Sequence, residues 1–551
     1  MRPSSRRTAS LLAVPTLLIA GLVVSGGPAS AAPAAAPDPA PRAAGADWLE
    51  HQLTDGLVHN DQFDIDDYGL SIDVGLALDA VGGHDDTVQA VGDAVAAHLG
   101  DYITGDAFGD TGSHYAGAAA KALWYAEVTG ADPHSYGGVD LQQTVEDLVA
   151  TDAPLTGRIQ DVSQYGDSAN VVGQVFAAEA LTALGSDRAA DVRSFLLQQQ
   201  CSDGYFRLRF TKNTAREDQS CDGGSATASA PDTDVTATFV LAMHPFDADP
   251  AVASAVDEAV AWLSDQQRPN GSFGGGPTTE APNANSTGLA GWALAETGDT
   301  AGAADAAAWV RAHQAANVGD CTAFRAADLG AVAYDNAARA ALVDSRIEPA
   351  TQDQFRRSTA QAVPVLAWAE EAGETHLLAS PEYVKAGGRA TVGVIGAAPG
   401  EALCARRLPS GATGVGWADE DGEGQLAVAL PDRSGTYRVR AWDATGDIGT
   451  VQVNALAATD LRIGLKRKRI APGRTQVLTV RGLAPAEVAT VSITWPERGS
   501  SASGDGVAGQ ADDDGVLRVT VKVPRRPGTA KVEATGAFRN RAGATSFRVT
   551  R

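Results

Sequence analysis

Between about residues 45 and 370 the apolar positions return every three or four residues, as on one face of a helix, and they form two kinds of segment that take turns. The first kind ends in a glutamine and a glycine turn followed by an aromatic, as in WLSDQQRPNGSF from Trp262 to Phe273. The second opens on hydroxyl, acidic or amide residues and runs on in Ala and Gly: GLSIDVGLALDAVG, GSHYAGAAAKALWYAEVTG, DSANVVGQVFAAEALTALG, DTDVTATFVLAM, NSTGLAGWALAETG and RRSTAQAVPVLAWA. Side-chain oxygens at such a start accept from the free amides of the first helical turn, and Gly often closes the other end. Small residues at helical spacing let helices approach closely, so the second kind predicts an inner layer. The first kind, with its large aromatic, predicts an outer one. Past residue 372 the period changes to two. ATVGVIG, GQLAVALP, TYRVRAWD and GTVQVNAL, then TQVLTVRGL, ATVSITWP, VLRVTVKVP and TSFRVTR, alternate between Gly and Pro turns and predict strands.

The outer segments fit one template. In FLLQQQCSDGYF, Gln200, Gly204 and Phe206 answer to Gln267, Gly271 and Phe273. The segment from Trp309 has Gln314 in register and Gly319 one place late; that from Trp48 has Gln52 one place early and Gly56 four residues on. Two further copies fit near AVAAHL and VEDLVA, which brings the repeats to six. Two helices per repeat and six repeats predict a closed (α/α)6 toroid, with an open solenoid as the alternative that spacing leaves standing. Each β segment, of about 80 to 95 residues, suits an immunoglobulin-like sandwich, a module that commonly acts as a spacer or adhesion unit. The expected protein is therefore multidomain: a toroid over 45–372, a sandwich over 373–455 and a basic sandwich over 456–551.

These repeats resemble the glutamine–tryptophan motifs of the prenyltransferase and squalene-cyclase repeat superfamily, the terpenoid-cyclase α/α toroid. Gln200, Gly204, Phe206, Gln267, Gly271 and Phe273 carry the resemblance, which covers roughly residues 45–372; Phe stands where that family usually has Trp. The resemblance implies that the glutamine amide caps an outer-helix end, that the aromatic stacks on the neighbouring repeat, and that both act as a staple. It also raises the family's chemistry, in which the middle Asp of D-x-D-D-T-A protonates an alkene. Asp232-Thr233-Asp234-Val235-Thr236-Ala237 matches all but the third Asp, which Val235 replaces. Asp234 is thus the candidate catalytic acid. Its structural reading is a helix N-cap, where the dipole favours the carboxylate and opposes acid work. Asp64-Ile65-Asp66-Asp67 reads as an acidic loop. Cyclases also line their cavity with aromatics whose faces stabilise cations, whereas most Trp here are expected on outer helices. A zinc-dependent prenyltransferase would need Cys, Asp and His ligands that the sequence does not assemble; neither metal nor cofactor is predicted.

Composition adds location and charge. Arg2, Arg6 and Arg7 precede LLAVPTLLIAGLVV and then PASAAP, the pattern of a secretory signal peptide over 1–31, with an Ala/Pro-rich leader over 32–44. No second apolar run is long enough to span a bilayer, so a secreted or cell-surface protein is expected; abundant Ala and Gly with an acidic balance suggest an actinobacterial source. Formal charge is −25, but residues 456–551 hold 17 Lys and Arg against 8 Asp and Glu. The acidic body argues against nucleic acid. The basic tail is either a solvated face or a contact for an anionic cell-wall polymer. Cys201 and Cys221 flank a polar loop and are expected to pair; Cys321 and Cys404 would form a second bond only between two domains. Inner helices that all start at one end would gather Asn170, Asp232, Asp234, Thr236, Asn285, Asp335 and Arg357 at one rim. Capping explains many of these residues without function; a pocket for a polar small ligand is the functional reading. The expected role is non-catalytic binding at that rim. Its rivals are a terpene-cyclase-like enzyme using Asp234, a carbohydrate-active α/α-barrel enzyme, and a cobalamin-carrier-like binder.

Overall fold

A computed structural model describes residues 36–380, 383–496 and 504–551. The expected signal peptide and the first part of the leader lie outside the described residues. Twelve of the described helices carry the repeats: α1 (Pro39–Glu50), α2 (Tyr68–Val81), α3 (Asp85–Ala97), α4 (Ala116–Val128), α5 (Leu141–Asp147), α6 (Val171–Ala183), α7 (Ala189–Leu197), α8 (Thr233–Met243), α9 (Pro250–Gln266), α10 (Ala284–Glu296), α11 (Thr300–Arg311) and α12 (Pro349–Ala362). The even-numbered helices match the small-residue segments. They pack in a closed cycle: α2 on α4, α4 on α6, α6 on α8, α8 on α10, α10 on α12, and α12 back on α2. Small residues allow this closeness. A Cβ on Gly173 of α6 would stand 2.8 Å from the Gly117 Cα of α4, and one on Gly288 of α10 would stand 2.4 Å from the Ala362 Cα of α12.

Three of the glutamine turns join one repeat to the next. Gln200 Nε2 donates to the carbonyl of Gly204 in its own turn and to that of Ala255 in α9, both at 2.8 Å. Gln267 does the same towards Gly271 at 3.1 Å and Gly302 of α11 at 2.7 Å. Gln314 reaches Gly330 at 3.0 Å and Pro41 of α1 at 2.8 Å, so the last staple lands on the first helix. The glycines have positive φ, 97° at Gly204, 76° at Gly271 and 95° at Gly330. A Cβ there would lie 2.5, 2.1 and 1.9 Å from the carbonyl oxygens of Glu258, Asp305 and Ala44 on the next outer helix. Gly319 is therefore not the partner of Gln314; the segment from Gln314 to Gly330 is lengthened by two short 3-10 turns, Gly319–Cys321 and Ala326–Asp328. Gln52 differs too, donating to Trp48 O of its own helix while its Oε1 accepts from Gln352 and Arg356.

Two further expectations change. The stretch read as a leader to residue 44 is helical from Pro39. Asp38 accepts from the Ala40 amide at 3.0 Å, Pro39 suits the first helical position, and the Arg311 guanidinium holds Asp38 at 2.8 Å. The sixth inner segment is broken after Ala362. Pro364 has no amide to donate, and the chain continues as a 3-10 turn, Pro364–Trp368.

Two sandwiches follow. The first packs a sheet ordered Tyr383–Lys385, Asp447–Leu456, Gly435–Trp442, Ala402–Arg407, Thr413–Trp417 against one of His376–Ser380, Arg389–Ile395 and Gly424–Ala429, around Val392, Leu403, Leu426 and Val439. The second is built alike around Leu478, Val491, Val532 and Phe547. Disulfides join Cys201 to Cys221 and Cys321 to Cys404, the latter tying the helical part to the first sandwich.

Gly330→Ala should cost roughly 3 kcal/mol, since the new Cβ meets the Ala44 carbonyl and the backbone is left-handed. Gln314→Ala should cost less, because the turn keeps its shape. Denaturant melts of the two variants check this order.

Candidate functional site

All six inner helices line one cavity of about 480 Å³. Leu76 of α2, Val172 of α6, Leu241 of α8 and Leu289 of α10 make most of its wall, and three aromatics join them: Trp124, Phe176 and Trp292. Trp124 stacks on Phe176 with ring centroids 5.2 Å apart. The expectation that Trp would sit mainly on outer helices therefore fails for Trp124 in α4 and Trp292 in α10. Both fall on the ring face because small residues occupy the faces turned towards neighbouring helices. Lys121 also lines the cavity; it is ion-paired with Asp73 and donates to Gly69 O at 2.9 Å.

Asp234 reaches the same cavity from the first turn of α8. It is not the N-cap. That position is held by Asp232, whose carboxylate accepts from the Val235 amide at 3.1 Å. Two residues beyond the cap, the Asp234 side chain turns inward and is half-buried. Burial pushes its carboxyl up to about 6, against a hydrogen bond with Ser286 and with help from the Asp232 charge. Its Oδ1 is buried without a partner. Val235, where the cyclase motif has its third Asp, is in the core at 1% exposure.

The other rim candidates scatter. Asn170 caps α6 through the Gly173 amide at 3.2 Å, and Asp335 caps the short helix Asn336–Asp344 through Ala338 at 2.8 Å. Thr236 is fully buried. Its hydroxyl donates to Asp232 O at 2.7 Å and accepts from the Phe206 amide at 2.9 Å, so it is structural and faces no ligand. Ser71, Gln174, Thr287 and Thr359 accept from a backbone amide in the same way. Arg357 pairs with Asp67, which caps α2, and with Asp353. Asn285 donates to Gln361 at 2.6 Å and, like Asp234, leaves a buried oxygen without a partner. Of the seven candidates, Asp234 alone lines the cavity.

The opposite end carries groups that sequence reasoning missed. Glu127 and Glu179 lie one turn beyond Trp124 and Phe176 on the same helices, and Glu296 lies one turn beyond Trp292, whose Nε1 donates to it at 2.9 Å. Asp79 ends α2 similarly, and both Asp79 and Glu296 are exposed lining residues, so the cavity opens here. Burial raises the carboxyl groups of Asp79, Glu127 and Glu179, each with a neighbouring acid adding to it, and Glu179 reaches about 8. An acid inside the otherwise apolar run VFAAEALTAL was the available signal.

No protein-family model and no curated protein matches the chain. Among solved structures, the type II terpene cyclase MstE from Scytonema aligns at 15% identity over 60% of this chain and 96% of its own, with a TM-score of 0.41. The Yersinia pseudotuberculosis adhesin InvE aligns at 17% identity over 32% of this chain and 58% of its own, TM-score 0.18. The Escherichia coli adhesin FdeC aligns at 18% over 33% and 65%, TM-score 0.21. The chain thus spans less than two thirds of either adhesin.

Folded Asp234 keeps its proton to about pH 6, whereas a free Asp releases it near 3.8. Its contribution to stability is complete below 3.8 and is lost as pH rises through 6. Asp234→Asn stays neutral throughout. Relative to the parent it should therefore gain about 2 kcal/mol between pH 4 and pH 7.5, read as a Tm difference that opens over that interval.

Proposed function

We propose that the helical ring is a squalene-cyclase-type toroid that holds an apolar ligand in its central cavity without turning it over, on an exported protein whose β-sandwiches act as spacers. One observation carries this reading: the cavity is walled by all six inner helices and lined mainly by aliphatic and aromatic side chains. Its volume lies within the roughly 300–1,000 Å³ of small-molecule pockets. On this reading the binding site is the ring interior rather than the polar rim expected from the sequence. Two disulfides fit an oxidising compartment, and no helix among the described residues is long and apolar enough to cross a membrane. The surplus of basic residues over 456–551 suits an anionic cell-wall polymer as a resting surface.

A second reading has its own support. Asp234 is an acid with a raised pKa and a free Oδ1 beside an aromatic-walled space, which is what protonation of an alkene asks for. Val235 in place of the third Asp removes the neighbouring carboxyl of the cyclase motif. Walls of Leu and Val offer a sugar few hydrogen bonds, and a corrinoid with its nucleotide loop exceeds this volume, so neither alternative gains support from the cavity.

Titration of the mature protein with farnesol, followed by tryptophan fluorescence, tests both. Saturable quenching is expected, with Asp234→Asn binding as well as the parent and Val172→Trp, which fills the cavity, binding at least tenfold more weakly. No quenching overturns the cavity as a ligand site. A cyclised product formed by the parent at pH 5 and not by Asp234→Asn establishes the enzyme instead.

A further inference from the structure

The ring interior is layered. Trp124, Phe176 and Trp292 form one level of the cavity wall. One helical turn further along the same helices come Glu127, Glu179 and Glu296, of which Glu296, with Asp79 of α2, lines the mouth. These acids sit where the inner helices end. The C-terminus of a helix carries a partial negative charge that a Lys or Arg commonly offsets. The last turns of α2, α4, α6 and α10 hold no basic residue. Arg42 does approach, but its guanidinium donates to the carbonyls of Ala80 and Val81. Lys121 pairs with Asp73. No ion pair to any of the four carboxyl groups occurs among the described residues.

Glu179 adds an observation independent of the clustering. It is 8% exposed, and its Oε2 is buried without a hydrogen-bond partner. It lies two turns beyond Val172 and on the same face, the one that Val172 and Phe176 present to the cavity. A buried carboxyl group without a partner is costly to keep, and a cation seated beside it would offset that cost by ion pairing. The acids are spread around the mouth rather than converged, and no set of three or more His, Cys, Asp and Glu that could hold a metal ion is found among the described residues. An aromatic level next to a carboxylate level suits a bulkier cation, because ring faces attract an ammonium group while carboxylates balance its charge.

We propose that the C-terminal mouth of the ring is a subsite for an organic cation: the ligand carries an ammonium-type head, held between the Trp124–Phe176 stack and the carboxylates of Glu127 and Glu179, with its hydrocarbon body running inward towards Asp234. This rests on the reading of the cavity as a ligand chamber and adds the chemistry of the head group. Glu127 acts on Glu179, Asp79 on Glu127 and Asp85 on Asp79, while Glu296, His244 and the Lys121–Asp73 pair line the same cavity. Glu179 is protonated at neutral pH in the empty ring, so arrival of a cation expels its proton.

Calorimetric titration of the full mature chain at pH 7 with decyltrimethylammonium and with 1-decanol tests this. The cation is expected to bind at least tenfold more tightly, with proton release seen as a dependence of the heat on the buffer's ionisation enthalpy. In Glu127→Gln/Glu179→Gln the preference should fall below threefold and the proton release should vanish, while decanol binds as before. Unchanged decanol affinity also shows that the variant is folded. Equal affinity of the two probes for the parent overturns the cation subsite and leaves the cavity standing. Binding of neither probe overturns both. A preference that survives in the double variant places the cation elsewhere and overturns the assignment to these residues.

Discussion

The ring depends on a contact in which a glycine has no room for a side chain. At Gly204, Gly271 and Gly330 the backbone is left-handed and lies against a carbonyl of the next outer helix, and the glutamine preceding each turn donates one amide to both sides of the joint. Neither half is sufficient alone. The glycine permits the approach, and the glutamine satisfies the carbonyls that the approach would otherwise bury unpaired. The contact recurs at three of the six joints, from α7 to α9, from α9 to α11 and from α11 to α1, and at each it fixes the angle between neighbouring repeats, on which closure depends. Gln314 meeting Pro41 is the same contact made between the last outer helix and the first.

Closure fixes where the ends of the inner helices fall, and so where charge falls. Their N-termini gather at one end, where Asp67, Asn170, Asp232 and Asn283 take the free amides. The Arg357–Asp67 pair joins α12 to the cap of α2 at this end. Their C-termini gather at the other end, where acids rather than bases follow the aromatic level. Capping and opening are thus divided between the two ends by helix direction alone. Asp234 escapes capping duty because Asp232 already performs it, and an acid released in this way meets the apolar cavity with an oxygen unpaired.

How much of this was legible in the sequence follows from what each residue answers to. The inner helices were legible because Ser, Thr, Asp or Asn followed by Ala and Gly is dictated by capping and close packing, both local effects; DTDVTATFVLAM became Thr233–Met243 almost residue for residue. Gln267 and Gly271 were legible because their partners lie within a few positions. Gly330 was not, because an insertion between it and Gln314 breaks the spacing that made the other copies visible. Thr236 was misread as a ligand contact because a hydroxyl at a helix start looks the same whether it faces a cavity or an amide; only the position of Phe206 distinguishes the two. Trp124, Phe176 and Glu179 were passed over because the ring face of an inner helix is defined by its two neighbours and not by its own sequence.

The first sandwich meets the ring with the device that joins the repeats. Gly400, at φ 75°, lies where a Cβ would stand 1.9 Å from the Ala308 carbonyl of α11, just as Gly271 lies against Asp305 of the same helix. Next to it, Arg311 at the end of α11 reaches Asp38 at the start of α1 at 2.8 Å and Glu401 of the sandwich at 3.1 Å. Burial holds Glu401 up to about 7 even with that guanidinium beside it. One arginine therefore ties the opening residue of the first helix, the last outer helix and the β-module together, close to where Gln314 closes the cycle. A ring is weakest where its first and last repeats meet, because that joint alone is not continued by the chain from one repeat to the next. Placing the sandwich, its disulfide from Cys321 to Cys404 and a buried ion pair over that joint resists its opening. The β-module is then part of what holds the cavity shut as well as a spacer behind it.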